Sequence, residues 1–133
     1  MASKNLFLLL AAAIILLPNN CFSQSGWYQL QSGTGSTLYC VSFPSANTGY
    51  AVGGGGTILV TTNAGVNWSI QPSPTSYDLE GVCFLNEMTG YACGAQGTIL
   101  STTNSGANWS ILTTPSNQML WSVFFINLSL IHI

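Results

Sequence analysis

The sequence predicts an all-β fold, and three observations support that prediction. Residues 38–78 align with residues 79–119 without a gap, with 21 identities in 41 positions. Each copy contains four short segments rich in β-forming residues, separated by turns that contain glycine or proline. Nothing after the N-terminal leader has the apolar periodicity of a helix. A four-stranded unit repeated roughly every 40 to 45 residues is typical of a β-propeller blade, so we expect a partial β-propeller.

The first 23 residues predict a secretory signal peptide. Residues 1–5 carry Lys4, residues 6–17 are apolar, and small residues follow. An apolar run of this length is too short to cross a bilayer, which needs roughly 20 residues. We expect cleavage after Ser23, with Ser25 as the alternative. The mature chain would then be secreted, or displayed on the surface of a bacterial cell, without insertion into the membrane.

The lack of positive charge argues against a nucleic-acid partner. Cleavage would leave a chain without lysine or arginine, whose acids are Asp78, Glu80 and Glu87. Such a chain cannot neutralise phosphates, so we expect no nucleic-acid partner.

The strands of the two copies are predicted at matching positions. The first strands are expected at residues 38–43 and 79–84, the second at 50–53 and 91–94, the third at 57–61 and 98–102, and the fourth at 68–71 and 109–112. Pro72, Pro74 and Pro115 follow the fourth strands and mark the crossing to the next unit, because proline cannot donate to a strand ladder.

The repeat also assigns the chain's ends. Trp27 precedes Trp68 by one repeat, so residues 24–37 are expected to hold the outer strand of an incomplete first blade. Residues 120–127 repeat the first-strand pattern and are expected to begin a third repeat. Residues 128–133 break the pattern, and one back-translation of them resembles a transposon end used to prepare sequencing libraries. We therefore expect residues 128–133 to be a non-native read-through tail.

The segment between the third and fourth strands recurs almost unchanged, as TTNAGVNWSI and TTNSGANWSI. An asparagine side chain can accept a hydrogen bond from the N–H two residues on, forming an Asx-turn, and glycine allows a positive φ. A tryptophan would anchor the turn by burying its ring. We expect a structural turn at ten residues: Thr61, Asn63, Gly65, Asn67, Trp68, Thr102, Asn104, Gly106, Asn108 and Trp109.

This segment resembles the Asp-box of sialidase-like and sortilin-like propellers, with asparagine in place of the usual aspartate. The wider pattern, V-x-F…TGYA-x-G…GTIL-x-TTN-x-G-x-NW, resembles the repeats of the photosystem II stability/assembly factor family. The resemblance covers roughly residues 27–127 and implies a propeller built of Asp-box repeats. Similar repeats occur in secreted proteins of the Bacteroidota, which we take as the nearer relatives. Photosystem factors are understood to use arginine-bearing surfaces, and this segment has no arginine.

Cysteines offer a candidate disulfide but no metal site. Cys40, Cys83 and Cys93 would remain after cleavage, and Cys83 and Cys93 flank a predicted hairpin, so these two could pair. The alternative, which we favour, is that all three are small buried apolar residues. No cysteine or histidine spacing typical of zinc occurs.

The sequence favours binding over catalysis. A sialidase-like site needs an arginine cluster, which is absent, and a nucleophile would lack a base unless His132 is native. We therefore expect no catalytic, cofactor-binding or metal-binding residues and no cofactor. The first hypothesis is a non-catalytic secreted or cell-surface scaffold that contacts a protein or a glycan. The alternative is a fragment of a carbohydrate-active propeller hydrolase whose catalytic residues lie in missing blades.

Overall fold

A computed structural model describes residues 30–127 and 130–132, with backbone only for residues 126–127 and 130–132. Repeat 1 contains β1 (Leu38–Ser42), β2 (Gly49–Gly53), β3 (Ile58–Thr61) and β4 (Ser69–Gln71). Repeat 2 contains β5 (Leu79–Phe84), β6 (Gly90–Gly94), β7 (Ile99–Thr102) and β8 (Ser110–Leu112). β9 (Phe124–Asn127) and β10 (Leu130–His132) follow.

Each repeat forms one antiparallel sheet whose strands lie in sequence order. The eight observed strands lie within one residue of their predicted bounds, and the described residues contain no α-helix. The prediction of an all-β, partial β-propeller is confirmed. No helix in the described part is long and apolar enough to cross a membrane.

β5 packs against β1 and β2, so the two sheets converge at their first strands. The thiol of Cys40 on β1 lies 3.8 Å from the carbonyl oxygen of Val82 on β5. The first strands therefore form the inner edge of the arc, and the fourth strands form its outer edge.

Two apolar clusters hold the arc together, and the second repeats the first. The cluster between the repeats contains Tyr50, Val52, Ile58, Leu79, Val82, Ala92, Leu100 and Trp109, with Cys40, Val60 and Phe84 packed against it. The cluster between repeat 2 and the segment that follows contains Cys93, Ile99 and Val123, with Cys83, Tyr91, Leu120 and Phe125 packed against it. Six of these seven residues lie one repeat after a member of the first cluster, so residues 120–125 cover repeat 2 as repeat 2 covers repeat 1.

The glycine of the TGYA motif is required by this packing. A Cβ atom on Gly90 would overlap the ring of Phe84, and Gly49 lies in the same way beneath Phe43. The aromatic ring of the first strand therefore lies directly on the backbone of the second strand.

The reversal between the second and third strands is a single 3₁₀ turn, Gly54–Gly56 in repeat 1 and Ala95–Gly97 in repeat 2. Gln96 takes a positive φ of 57° where repeat 1 has Gly55 at 66°. The backbone of Gln96 therefore adopts a left-handed conformation that favours glycine.

The two ends of the chain leave several predictions open. The signal peptide and residues 24–29 lie outside the described residues, and residues 30–37, the rest of the segment assigned to the incomplete first blade, contain no strand. β9 pairs with β10. The non-native origin of residues 128–133 stays a prediction.

Candidate functional site

The recurrent segment forms the same turn in both repeats, and we call residues 61–68 and 102–109 the box turns. In repeat 2 the Thr102 hydroxyl donates to Asn104 Oδ1 (3.0 Å) and accepts the N–H groups of Asn104 (3.3 Å) and Gly106 (3.0 Å). Asn104 Oδ1 also accepts the N–H of Asn108 (3.0 Å). The corresponding distances in repeat 1 are 2.9, 3.3, 3.0 and 2.9 Å.

These bonds correct the predicted Asx-turn. The asparagine oxygen accepts the N–H four residues on, and the threonine hydroxyl accepts the N–H groups two and four residues on. The cause is a left-handed pair in the middle of the turn, Ala64 (φ 58°) and Gly65 (φ 87°). This pair reverses the chain so that the more distant N–H points back at the side chain. The sequence indicated the glycine but carried no signal for a left-handed Ala64 or its equivalent, Ser105.

The tryptophans that end the box turns are buried to different extents. Trp109 is 7% exposed and meets Phe84 edge-on, with 5.9 Å between the ring centroids. Trp68 makes the same contact with Phe43 at 6.1 Å but is only half-buried. The difference arises because repeat 1 covers Trp109, whereas among the described residues no complete repeat covers Trp68.

Repeat 1 binds the second box turn through the carbonyl oxygen of Ser105. The Tyr50 hydroxyl donates to this oxygen (3.1 Å), and Gln71 Nε2 donates to it as well (3.3 Å). Gln71 Oε1 accepts the indole N–H of Trp109 (3.4 Å). Burial raises the pKa of Tyr50 despite the bond to Ser105, so its hydroxyl stays protonated and donates. The left-handed residue of the box turn is thus the acceptor through which two repeats are joined.

The candidate disulfide is not formed, because Cys40, Cys83 and Cys93 are free thiols. β5 and β6 place Cys83 opposite Tyr91 and Cys93 opposite Gly81, so the two cysteines are diagonal neighbours and not a facing pair. Desolvation raises the pKa of Cys83, and it raises the pKa of Cys93 to about 11.

Of the three acids, Asp78 has a structural role. Asp78 Oδ1 accepts the N–H of Gly55 (2.8 Å), so this half-buried carboxylate joins the 3₁₀ turn of repeat 1 to the start of repeat 2. Within the described residues no three His, Cys, Asp or Glu side chains form a group that could hold a metal ion.

One position that the sequence analysis missed lies on the inner edge. The pairing of the first two strands shifts between Leu38 and Cys40, and again between Leu79 and Gly81, so Tyr39 and Glu80 are bulge residues. A bulge turns its extra side chain away from the regular pleat. Trp121 has the same place in the repeat, and Tyr39 and Trp121 are 46% and 69% exposed. The signal was present in the sequence as three unlike residues, Tyr, Glu and Trp, spaced by the repeat.

Replacement of Thr102 tests the box turn. We expect Thr102→Val to lower the free energy of unfolding by about 2 kcal/mol, because the N–H of Gly106 would lose its partner in a buried position. Thr103→Val, at the exposed neighbour, is the matched control and should change it by less than about 0.5 kcal/mol. Urea unfolding of both variants measures the difference, and equal effects would contradict the assigned bonds.

Alkylation tests the state of the thiols. In the folded chain at pH 8 we expect Cys93 to resist iodoacetamide, since it is fully buried and a pKa of about 11 leaves very little thiolate. In urea without reductant, Cys40, Cys83 and Cys93 should all be alkylated, as mapped by mass spectrometry. Recovery of a linked peptide containing Cys83 and Cys93 would show that the disulfide forms after all.

Comparison with known proteins agrees with this architecture. The model of the family described as Photosynthesis system II assembly factor YCF48 matches residues 19–121. A solved structure of YCF48 bound to D1 peptide is 27% identical, with a TM-score of 0.60 over 65% of this chain and 30% of that chain. An ancestral GH74 enzyme is 18% identical, with a TM-score of 0.54 over 66% of this chain and 14% of that chain, and this likeness concerns the fold alone. No curated protein matches the chain.

The chain spans less than a third of the length of either solved structure. The family match, in contrast, covers most of the chain, including both box turns and both sheets. The chain therefore belongs to the family of the photosystem II assembly factor YCF48.

Proposed function

We propose that this chain is part of a non-catalytic propeller that binds polypeptide partners through its inner edge. The observation that carries the proposal is the exposure of two uncharged aromatic side chains, Tyr39 and Trp121, at one repeat position. Glu80 has the same position in repeat 2 and is half-buried. The scaffold is constant around this position while the side chain on it changes, as expected of a surface that contacts a partner.

The polar groups of the box turns support a structural and not a catalytic role for those turns. The Thr102 hydroxyl and Asn104 Oδ1 make their bonds within the turn, and the Ser105 carbonyl is bonded to repeat 1. A catalytic group must be able to reach a substrate. The carboxylate of Asp78 is likewise engaged by the N–H of Gly55.

A polypeptide fits this surface better than a charged ligand does. Tyrosine and tryptophan supply large contact areas at a low cost in side-chain entropy, and they are common at the centres of protein interfaces. The described residues carry three acids and no lysine or arginine, so binding would not depend on strong charge complementarity. The solved relative with a bound peptide adds support for this choice of partner.

Export is part of the proposal and rests on the sequence of residues 1–23. N-terminal sequencing of the secreted chain tests it, with Gln24 as the expected first residue. A first residue of Met1 on a chain retained in the cell would overturn it.

Binding can be measured on an array of uncharged synthetic peptides, with a glycan array in parallel. We expect binding to peptides, weakened roughly tenfold by Trp121→Ala or Tyr39→Ala because each substitution removes an aromatic contact. Ile111→Ala is the matched control, since Ile111 is an exposed apolar residue on the outer strand β8, and it should leave affinity unchanged. Added salt should change the affinity by less than about twofold.

Two outcomes would contradict the proposal. Binding to glycans alone, lost in the same two variants, would make the inner edge a carbohydrate surface. Hydrolysis of a bound glycan would favour the alternative of a carbohydrate-active enzyme.

A further inference from the structure

Two large side chains lie at the junction of the repeats where the preceding repeat position holds a small one. Gln96 has Gly55 as its equivalent, and Tyr77 has Ser36. Gln96 also takes a left-handed φ of 57°, a conformation in which glycine is unstrained and other residues are not. Strained backbone is concentrated at ligand sites and switches, so the side chain of Gln96 is a candidate for such a role.

Gln96 and Tyr77 line one groove of about 200 Å³, which we call the outer groove. Its apolar part comes from Ile111 and Leu112 of the outer strand β8 and the connection that follows it. Its polar part comes from the 3₁₀ turn of repeat 2 and the connections after β4 and β8. The polar lining residues include Thr75, Tyr77, Gln96, Thr98, Thr114 and Ser116. None of the described residues that line the outer groove carries a charge.

Backbone hydrogen bonds hold the walls of the outer groove together. The N–H of Ala95 donates to the carbonyl oxygen of Asp78 (2.9 Å), which ties the segment after β4 to the 3₁₀ turn. The N–H of Gly97 donates to the carbonyl oxygen of Gln118 (2.8 Å), which ties the segment after β8 to the same turn. The groove is therefore formed before a ligand binds, and this lowers the entropic cost of binding.

The polar groups of the two large side chains are available to a ligand. Tyr77 is 52% exposed, and Gln96 is exposed as well. Within the described part of the chain, neither the Tyr77 hydroxyl nor the Gln96 amide makes a hydrogen bond. The groove thus offers an aromatic ring and an amide that can both donate and accept.

This combination suits a neutral sugar ring. A sugar ring has C–H groups on its faces, which pack on an aromatic ring, and hydroxyls at its edge, which bond an amide. A phosphate, carboxylate or ammonium ligand would find no opposite charge among the described lining residues. An apolar peptide side chain would leave the polar groups of the groove without partners. The volume is below the roughly 300–1,000 Å³ of sites for drug-sized ligands, as expected for one small ring.

We propose that the outer groove binds a neutral sugar ring, which stacks on Tyr77 and exchanges hydrogen bonds with the Gln96 amide. The equivalent place one repeat earlier has neither group, because Ser36 and Gly55 stand there. The outer groove lies beside β8 and not at the inner edge, so this inference does not depend on the proposed peptide binding.

Nuclear magnetic resonance of the isotope-labelled full chain tests the proposal. The probes are neutral oligosaccharides of glucose, mannose, galactose and xylose, together with the four free monosaccharides. The reporters are the side-chain amide of Gln96 and the backbone N–H of Thr98. We expect at least one neutral probe to shift both signals saturably. A monosaccharide as potent as its oligosaccharide identifies a free sugar as the ligand, and a stronger oligosaccharide identifies a glycan chain.

Three variants separate binding from folding. Tyr77→Ala should weaken sugar binding roughly tenfold, whereas Tyr77→Phe, which keeps the ring, should retain most of it. Gln96→Gly restores the residue of repeat 1 and relieves the left-handed strain. The urea midpoint of this variant should therefore stay the same or rise, while binding read at Thr98 falls roughly tenfold. Met88→Ala, at an exposed residue between β5 and β6, is the matched control and should change neither.

Three results would overturn the proposal. The first is the absence of any shift at Gln96 or Thr98 with every neutral saccharide at about 20 mM. The second is sugar binding that is lost in Trp121→Ala and kept in Tyr77→Ala, which would place the sugar on the inner edge. The third is a proline-rich peptide that shifts the two reporters while no saccharide does, which would make a polypeptide the occupant.

Discussion

The contact of Tyr50 with repeat 2 is the interaction on which the rest of the structure depends. A four-stranded sheet has two faces. Because this chain has so few charged side chains, both faces are largely apolar and are stabilised by burial against a neighbouring repeat. Tyr50 is completely buried, stacks on Phe84 and donates to the Ser105 carbonyl. Tyr50 therefore makes both an apolar contact and a directional hydrogen bond, and together these fix the position of one sheet relative to the next.

The conformation of the box turn follows from this requirement. A left-handed backbone at a residue other than glycine costs about 1 kcal/mol, and Ser105 takes it in a turn whose side chains already bond the surrounding N–H groups. That conformation points the Ser105 carbonyl at Tyr50 and Gln71 of the preceding repeat. The turn thus contributes to the contact between blades as well as to the connection between two strands. The box turn resembles a functional motif, but its conformation is explained by the contact that it makes with the preceding repeat.

The sequence predicted the repeating parts of the structure and failed where two repeats meet. The strand bounds followed from the period because Val, Phe, Tyr and Ile recur at fixed positions in both copies. The bonds of Asn63 were assigned wrongly, because the left-handed pair at Ala64 and Gly65 has no signature beyond its glycine. The role of Gln71 in joining the two repeats could not be predicted, because its hydrogen-bond partner, Trp109, is 38 residues away in another sheet. The bulge that places Tyr39 on the inner edge has no local signature, and only the three unlike residues at the repeat spacing, Tyr39, Glu80 and Trp121, indicate the position in the sequence.

The central claim is that the stacking of Tyr50 on Phe84 couples the two repeats. A double-mutant cycle with Tyr50→Leu and Phe84→Leu, read by urea unfolding, measures this coupling directly. The structure predicts a coupling energy of about 1 kcal/mol. The matched pair Tyr50→Leu and Phe43→Leu should be additive, because the ring of Phe43 packs on Trp68. Additivity of Tyr50 with Phe84 to within about 0.3 kcal/mol would contradict the claim.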